Sequence, residues 1–291
     1  MTIVQTGATV TPLEQKLDEV DSADLSAEWY AHAAKVLRGG DGGEHGLLLY
    51  KLVQRYANAS RPVVVLDIGT ARGFSAMTMA RAMEDAGIAG HVHTVDIIDH
   101  QESLNWHAVK HEADDPLAGA TVTRAEIWAK WFQEGGGITP ITGRSADVLK
   151  KWDQGPINLA FLDGSHAYAD VKRELTQLES LMDENGAIVV DDYHLGSTVV
   201  RIPSRLITAF AQRLRRVCEI AWPRMSKHVA RFGAGNEYAL VTYRLHGTRK
   251  AVAEFLAERP GQWSLEIIAM PSRGDYQGSD YSLAVLTRQQ G

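Results

Sequence analysis

Asp67-Ile68-Gly69-Thr70-Ala71-Arg72-Gly73-Phe74-Ser75 follows an apolar run, VVVLDI, and leads into a stretch with helical spacing. Glycines at 69 and 73 let a backbone turn tightly and approach a ligand closely. The pattern D-x-G-x-x-x-G is not the G-x-G-x-x-G of dinucleotide binders, and no Gly-Lys-Ser follows to make a phosphate loop. Asp96 ends the next β-type run, HVHTVD, 29 residues after Asp67; a carboxylate there can accept both hydroxyls of a ribose. Gly143-Arg144-Ser145-Ala146-Asp147 is a third tight turn, whose backbone and Ser145 hydroxyl can meet the edge of an adenine. Plainer readings stand beside each: a connecting turn, a helix N-cap at Asp96, and helix capping by Ser145. Taken together, the three turns suit a ligand at the carboxyl ends of parallel strands, where open α/β sheets bind cofactors.

The elements that must position these residues alternate along the chain. Val63 to Ile68 is a β-branched run of the kind buried in a parallel sheet. Ser75 to Ala86 reads as helix, HVHTVD and Thr139 to Thr142 as short strands, and INLAFLD as an apolar strand ending at Asp163. Ala169 to Met182 carries Val171, Leu175, Leu178 and Leu181 at helical spacing, and AIVV precedes Asp191-Asp192. Such alternation predicts βαβ units and a mainly parallel, doubly wound sheet. Upstream, SAEWYAHAAKVLRG and LLLYKLVQRYANA read as helices, so residues 1–60 form a helical arm whose first twenty residues are loose, and 61–291 form the main domain. Two excursions interrupt it, at 100–138 and 196–246, both too long for ordinary connections. The sheet closes with an antiparallel pair, SLEIIAM and YSLAVLT; the competing assignment uses VCEIAW and EYALVTYR instead.

Composition narrows the class. The chain has 291 residues, 45% hydrophobic and 23% charged, a length that buries a sizeable core without staples. Its single cysteine, Cys218, excludes a disulfide framework or a cysteine-rich zinc site. No apolar run approaches the ~18 residues of a membrane span, and the N-terminus lacks the basic start and apolar core of a secretory signal. A net charge of −6 argues against a general nucleic-acid binder. The expectation is a cytoplasmic enzyme.

These residues resemble the class I S-adenosylmethionine-dependent methyltransferases. VVVLDIGTARGFSAMTMA is similar to the family's glycine-rich cofactor loop and HVHTVDI to its ribose-binding strand. The resemblance covers residues 40 to 195 well and 247 to 291 more weakly. It implies a Rossmann-like sheet of seven strands, the last antiparallel. It also implies S-adenosylmethionine bound by Asp67, Gly69, Thr70, Gly73, Ser75, Asp96, Ser145, Ala146 and Asp163.

In such a sheet the strand ends at Asp163 and Asp191-Asp192 are neighbours, so three carboxylates converge, a donor set suited to a hard cation such as Mg²⁺. Acidic strand ends that merely face solvent are the plainer reading. Asp163, a base three residues on at His166, and the acidic pair 28 residues after Asp163 are similar to the metal-dependent O-methyltransferases that act on catechols, caffeoyl-CoA-like esters and macrolide sugars. The resemblance implies Asp163, Asp191 and Asp192 as metal ligands and His166 as general base, with the histidine matching the sugar and natural-product enzymes. His194 is a second candidate base, read in preference as a supporting or substrate contact. Two alternatives remain open: a metal-independent methyltransferase, and a non-catalytic module that binds a nucleoside.

Two expectations concern partners. Trp128, Trp131 and Phe132 recur at helical spacing, either packed on their own domain or forming a lid or dimer surface, and the family leans towards a homodimer. Residues 196–246 hold nine basic residues and two acidic ones, a net +7 that leaves −13 on the remainder. Arginines there, Arg201 and Arg205 nearest the acidic pair, can hold an anionic group of the acceptor through paired hydrogen bonds.

Overall fold

The computed structural model describes residues 8–20, 25–38, 43–56, 61–106, 115–117, 120–131, 137–193, 198–203, 227–232, 238–243, 247–270 and 282–289. In chain order the elements begin with β1 (Thr9–Pro12), α1 (Leu13–Glu19), α2 (Ala27–Ala33), which runs on into a π-turn at Ala34–Arg38, and α3 (Glu44–Arg55). The central units are β2 (Val63–Ile68), α4 (Phe74–Asp85), β3 (Gly90–Asp96), a hairpin of β4 (Ser103–Asn105) and β5 (Thr121–Thr123), and α5 (Arg124–Trp128). They continue through β6 (Ile138–Thr142), α6 (Ser145–Lys150), β7 (Ile157–Leu162), α7 (Tyr168–Leu178) and β8 (Met182–Val190). After β9 (Thr198–Pro203), β10 (Lys227–Phe232) and β11 (Tyr238–Tyr243), the chain closes with α8 (Gly247–Ala257), β12 (Trp263–Ala269) and β13 (Ser282–Arg288).

The main sheet has eight strands in the order β1-β12-β13-β8-β7-β2-β3-β6. Its neighbours are parallel except at β13, which runs against both β12 and β8. The doubly wound sheet with its last strand antiparallel is therefore the fold, and SLEIIAM and YSLAVLT supply the closing pair. Of the competing pair, Tyr238–Tyr243 joins β10 and β9 in a separate three-stranded antiparallel sheet, and VCEIAW lies outside the described residues.

The eighth strand is an addition. Residues 9–12, expected to be loose, pair in parallel with β12. Leu13 and Val20 are buried behind this strand, and Lys16 reaches Glu266 at 2.5 Å. A weakly patterned segment is held here by an open sheet edge, which offers unpaired backbone groups whatever the side chains.

Alternation along each central strand divides the core. Val63 and Val65 on β2, Leu159 and Phe161 on β7, and Val189 on β8 face α3 and α4. Leu66, Ile68, Ala160, Leu162, Ile188 and Val190 face α7 and α8, where Val171, Leu175, Val252 and Phe255 meet them. Each large side chain so buried contributes roughly 1.5–3 kcal/mol. The first excursion packs on the helical arm as well as on α4: Ile127 and Trp128 join Leu37, Phe74 and Trp106 in a third cluster. Trp131 stacks on His32 and meets Trp29 edge-on. Phe132 lies outside the described residues.

Candidate active site

Backbone hydrogen bonds join the ends of five parallel strands. Gly143 donates to Asp96 at 2.8 Å, Gly69 to Val95 at 2.9 Å, Asp163 to Ile68 at 2.8 Å, and Asp191 to Leu162 at 2.9 Å. The carboxyl ends of β6, β3, β2, β7 and β8 therefore form one continuous rim. Every site residue expected from the sequence up to Asp192 lies on or just beyond it.

The chain itself crowds both glycines of the loop. Gly69 has φ +101°, and a Cβ there would fall onto the carbonyl of Asp163 and 2.8 Å from the amide nitrogen of Gly164. At Gly73, φ +99°, a Cβ would land on the Trp128 indole, 2.6 Å from Cε2. Both positions are required by packing within the chain. Between them Ala71 holds φ +47°, a left-handed conformation uncommon outside glycine.

Asp67 is fully buried, accepting hydrogen bonds from Ser75 Oγ at 2.9 Å and Thr94 Oγ1 at 2.6 Å. Burial pushes its carboxyl up to about 6 against the pull of these two hydroxyls. Thr70 is buried too, its hydroxyl 2.6 Å from that of Thr94. Asp67, Thr70 and Ser75 thus form an internal brace between loop, β3 and α4. Ser145 donates to Glu174 of α7, and the Ala146 carbonyl accepts from Gln177 at 3.0 Å. Burial raises Glu174 to about 7, with Ser145 opposing.

Asp96 stands at the end of β3 with its side chain 12% exposed. Its Oδ2 accepts from the Ala71 amide at 3.0 Å and from Arg124 Nη2 at 2.9 Å, and its Oδ1 accepts from the Ile98 amide at 3.0 Å. The neighbouring Ile97 is 74% exposed, an apolar side chain presented beside a carboxylate. Ile97 closes the quoted HVHTVDI stretch, but Arg124 was not picked out by the motif reading. The helix that delivers Arg124 does carry a sequence signal, the capping box Thr123-x-x-Glu126, which the structure forms in full.

On the other side of the rim, Asp163, Asp191 and Asp192 share one space with His166. Burial, followed by the charge of Asp191 and then Asp192, holds the Asp163 carboxyl well above the usual carboxylate range. His166 Nε2 lies 3.4 Å from Asp192 Oδ2 and 3.7 Å from Asp163 Oδ1, and the ring is about a third exposed. Asp192 takes φ +50°, an aspartate in left-handed backbone that turns the chain straight off the strand end. Behind His166, the start of α8 packs on its backbone: a Cβ at Gly247 would fall on the His166 carbonyl.

Among the described residues, no three His, Cys, Asp or Glu side chains are gathered as they would be around a metal ion. The donor chemistry nevertheless fits a hard divalent cation, because crowded carboxylates repel until a cation or proton compensates them. Asp163, Asp191 and Asp192 are the residues that would hold it. Arg201 lies in β9, opposite Leu240 of β11. His194 and Arg205 lie outside the described residues. No helix among those described is long and apolar enough to cross a membrane.

Comparison with known proteins bears on this rim. Residues 66–193, from the end of β2 to just past Asp192, match the model of the family described as a methyltransferase domain. No curated protein matches the chain. Among solved structures, the O-methyltransferase TomG from Streptomyces achromogenes, involved in tomaymycin synthesis, is similar at 17% identity over 92% of each chain, with a TM-score of 0.49. The methyltransferase PaMTH1 from Podospora anserina is similar at 15% identity, over 96% of this chain and 94% of that one, with a TM-score of 0.49. A putative O-methyltransferase from Klebsiella pneumoniae is similar at 16% identity, over 96% and 90%, with a TM-score of 0.44.

Proposed function

We propose that the methyltransferase domain of this chain transfers a methyl group from S-adenosylmethionine to a hydroxyl of a small molecule, a sugar or other hydroxylated natural product. One observation carries the reading. A single rim sets a carboxylate beside an exposed apolar side chain, Asp96 and Ile97, at one end, and a histidine among three carboxylates at the other. The first group suits a nucleoside: the carboxylate accepts ribose hydroxyls and the isoleucine covers a base face. The second suits proton removal from an acceptor.

S-adenosylmethionine supplies the methyl group on a sulfonium centre that leaves as a neutral thioether. As the acceptor oxygen takes up that methyl group, its hydroxyl proton would pass to His166 Nε2, which Asp163 and Asp192 flank at 3.7 and 3.4 Å. A general base contributes typically ~10²–10⁴-fold to such a step. Asp192 and Asp163, within 4 Å of Nε2, stabilise the imidazolium that results. Mg²⁺ held by Asp163, Asp191 and Asp192 would lower the pKa of an acceptor hydroxyl. The rest of the domain positions donor and oxygen, which is itself a large part of catalysis. The basic segment that follows Asp192 would receive an anionic part of the acceptor, with Arg201 and Arg205 nearest the acids in sequence, and the active unit would be a homodimer.

Methyl transfer from labelled S-adenosylmethionine to sugars, glycosylated natural products and catechols, with Mg²⁺ and with EDTA, tests this. The expected outcome is transfer to a hydroxyl that EDTA stops and Mg²⁺ restores. Transfer unaltered by EDTA would leave His166 acting without metal. No transfer to any acceptor, despite tight cofactor binding, would support a non-catalytic nucleoside-binding module.

A further inference from the structure

A closed ring of hydrogen bonds joins three points of the chain at the nucleoside end of the rim. The Ala71 amide donates to Asp96 Oδ2 at 3.0 Å, Arg124 Nη2 donates to the same oxygen at 2.9 Å, and Arg124 Nε donates to the Ala71 carbonyl at 2.6 Å. Both peptide groups of Ala71 are thus tied down, at the residue whose backbone is left-handed. The third arm of the guanidinium reaches the Ile98 carbonyl at 3.2 Å, while the Ile98 amide holds the other oxygen of Asp96 at 3.0 Å. Arg124 is 1% exposed. A guanidinium that deep stays charged only where anions and acceptors replace its water, and Asp96 is the carboxylate it bonds. One residue along, Arg72 and Asp115 make a second buried pair through two bonds of 2.9 and 2.5 Å. The 100–138 excursion therefore grips the glycine loop at two consecutive residues.

We infer that Arg124 is a positioning residue of the cofactor site: the ring Ala71–Asp96–Arg124 sets the loop conformation and aims the carboxylate that accepts the ribose. The excursion, which lies outside the strand–turn–helix unit of the glycine loop, thereby becomes part of the cofactor cradle. This rests on Asp96 as the nucleoside acceptor proposed above. A role confined to stability would lower the melting temperature of Arg124 variants and leave the affinity of the folded protein unchanged.

The test is a double-mutant cycle read by titration calorimetry with S-adenosylmethionine, at a temperature where thermal melts show every variant folded. Arg124→Met should weaken binding about tenfold or more, as expected for charge-assisted hydrogen bonds. Arg124→Lys, which keeps the charge and loses the fork, should recover part of the loss. In an Asp96→Asn background, Arg124→Met should cost less than about twofold further, because the two side chains act as one unit. Equal losses in both backgrounds, or wild-type affinity in folded Arg124→Met, would overturn the inference. Should Arg124→Met fail to fold, the same cycle with Arg124→Lys decides it. Wild-type protein that does not bind S-adenosylmethionine would overturn the nucleoside reading, and the role of the ring with it.

Discussion

The two ends of the rim treat their carboxylates in opposite ways. At the β2–β3 end, Asp67 is met by Ser75 and Thr94, and Asp96 by Ala71, Ile98 and Arg124. At the β7–β8 end, Asp163 is crowded by Asp191 and Asp192, and His166 stands 3.4–3.7 Å from two of the three. Donors supplied by the chain fix a shape in advance of any ligand. Acids turned towards one another store electrostatic repulsion that a proton or a cation can relieve. Under the proposed function the first end would hold a ligand and the second would change one, although both grow from the same repeated unit of strand, turn and helix.

That division can be broken at either end. The largest effect is expected at the acidic end, where His166→Ala should lower turnover by about 10²–10⁴-fold and leave cofactor affinity within a factor of about two. Steady-state kinetics beside calorimetry checks it, and a comparable loss in affinity would erase the distinction between the ends. At the holding end, Trp128→Ala removes the indole that fills the space above Gly73 and donates to the Arg72 carbonyl at 2.8 Å. A loss of about 3–5 kcal/mol in urea unfolding is expected for a buried aromatic; a loss below about 1 kcal/mol would show that the loop does not depend on the excursion.

A third change sharpens the comparison through pH. Glu174 titrates near 7 in the folded protein because it is buried, above the 4.5 of a free glutamate. A raised folded-state pKa means that ionisation destabilises the fold, a penalty absent below about pH 4.5 and complete above about pH 7. Glu174→Gln should therefore stabilise the protein at pH 8 by up to about 3 kcal/mol and have little effect near pH 4.5. Melts at the two pH values read the difference, and a constant offset would contradict it. The smallest effect belongs to Ile97: Ile97→Ser should leave stability unchanged and weaken S-adenosylmethionine binding only several-fold, about 1 kcal/mol of apolar contact. Unchanged affinity would remove Ile97 from the nucleoside surface.

Much of this was legible in the residue order, for a physical reason. A strand buried on both faces must be an unbroken apolar run, so VVVLDI, INLAFL and AIVV announced themselves, and the polar residues after them had to stand on one rim. Gly69 and Gly73 marked the turn after β2, but a glycine does not disclose which parts of the chain crowd it; here they include Asp163 and Trp128. The motif marked Asp67 but not its pairing with Ser75 and Thr94, which meet it only once β3 and α4 are packed around the strand end. Arg124 was illegible for a different reason. A charged residue at the start of a short amphipathic segment reads as solvated, and only the tertiary approach of the excursion to Ala71 turns it inward. Residues 9–12 escaped because an edge strand needs backbone partners more than side-chain pattern.

Titration calorimetry of S-adenosylmethionine against Asp96→Asn and Asp191→Asn, side by side with the wild type, tests the division of the rim most directly. Asp96→Asn is expected to lose at least about tenfold in affinity, as a charged hydrogen-bonding partner is removed, while Asp191→Asn binds as the wild type does and fails only in turnover. Equal losses of affinity in the two variants, or a loss confined to Asp191→Asn, would contradict it.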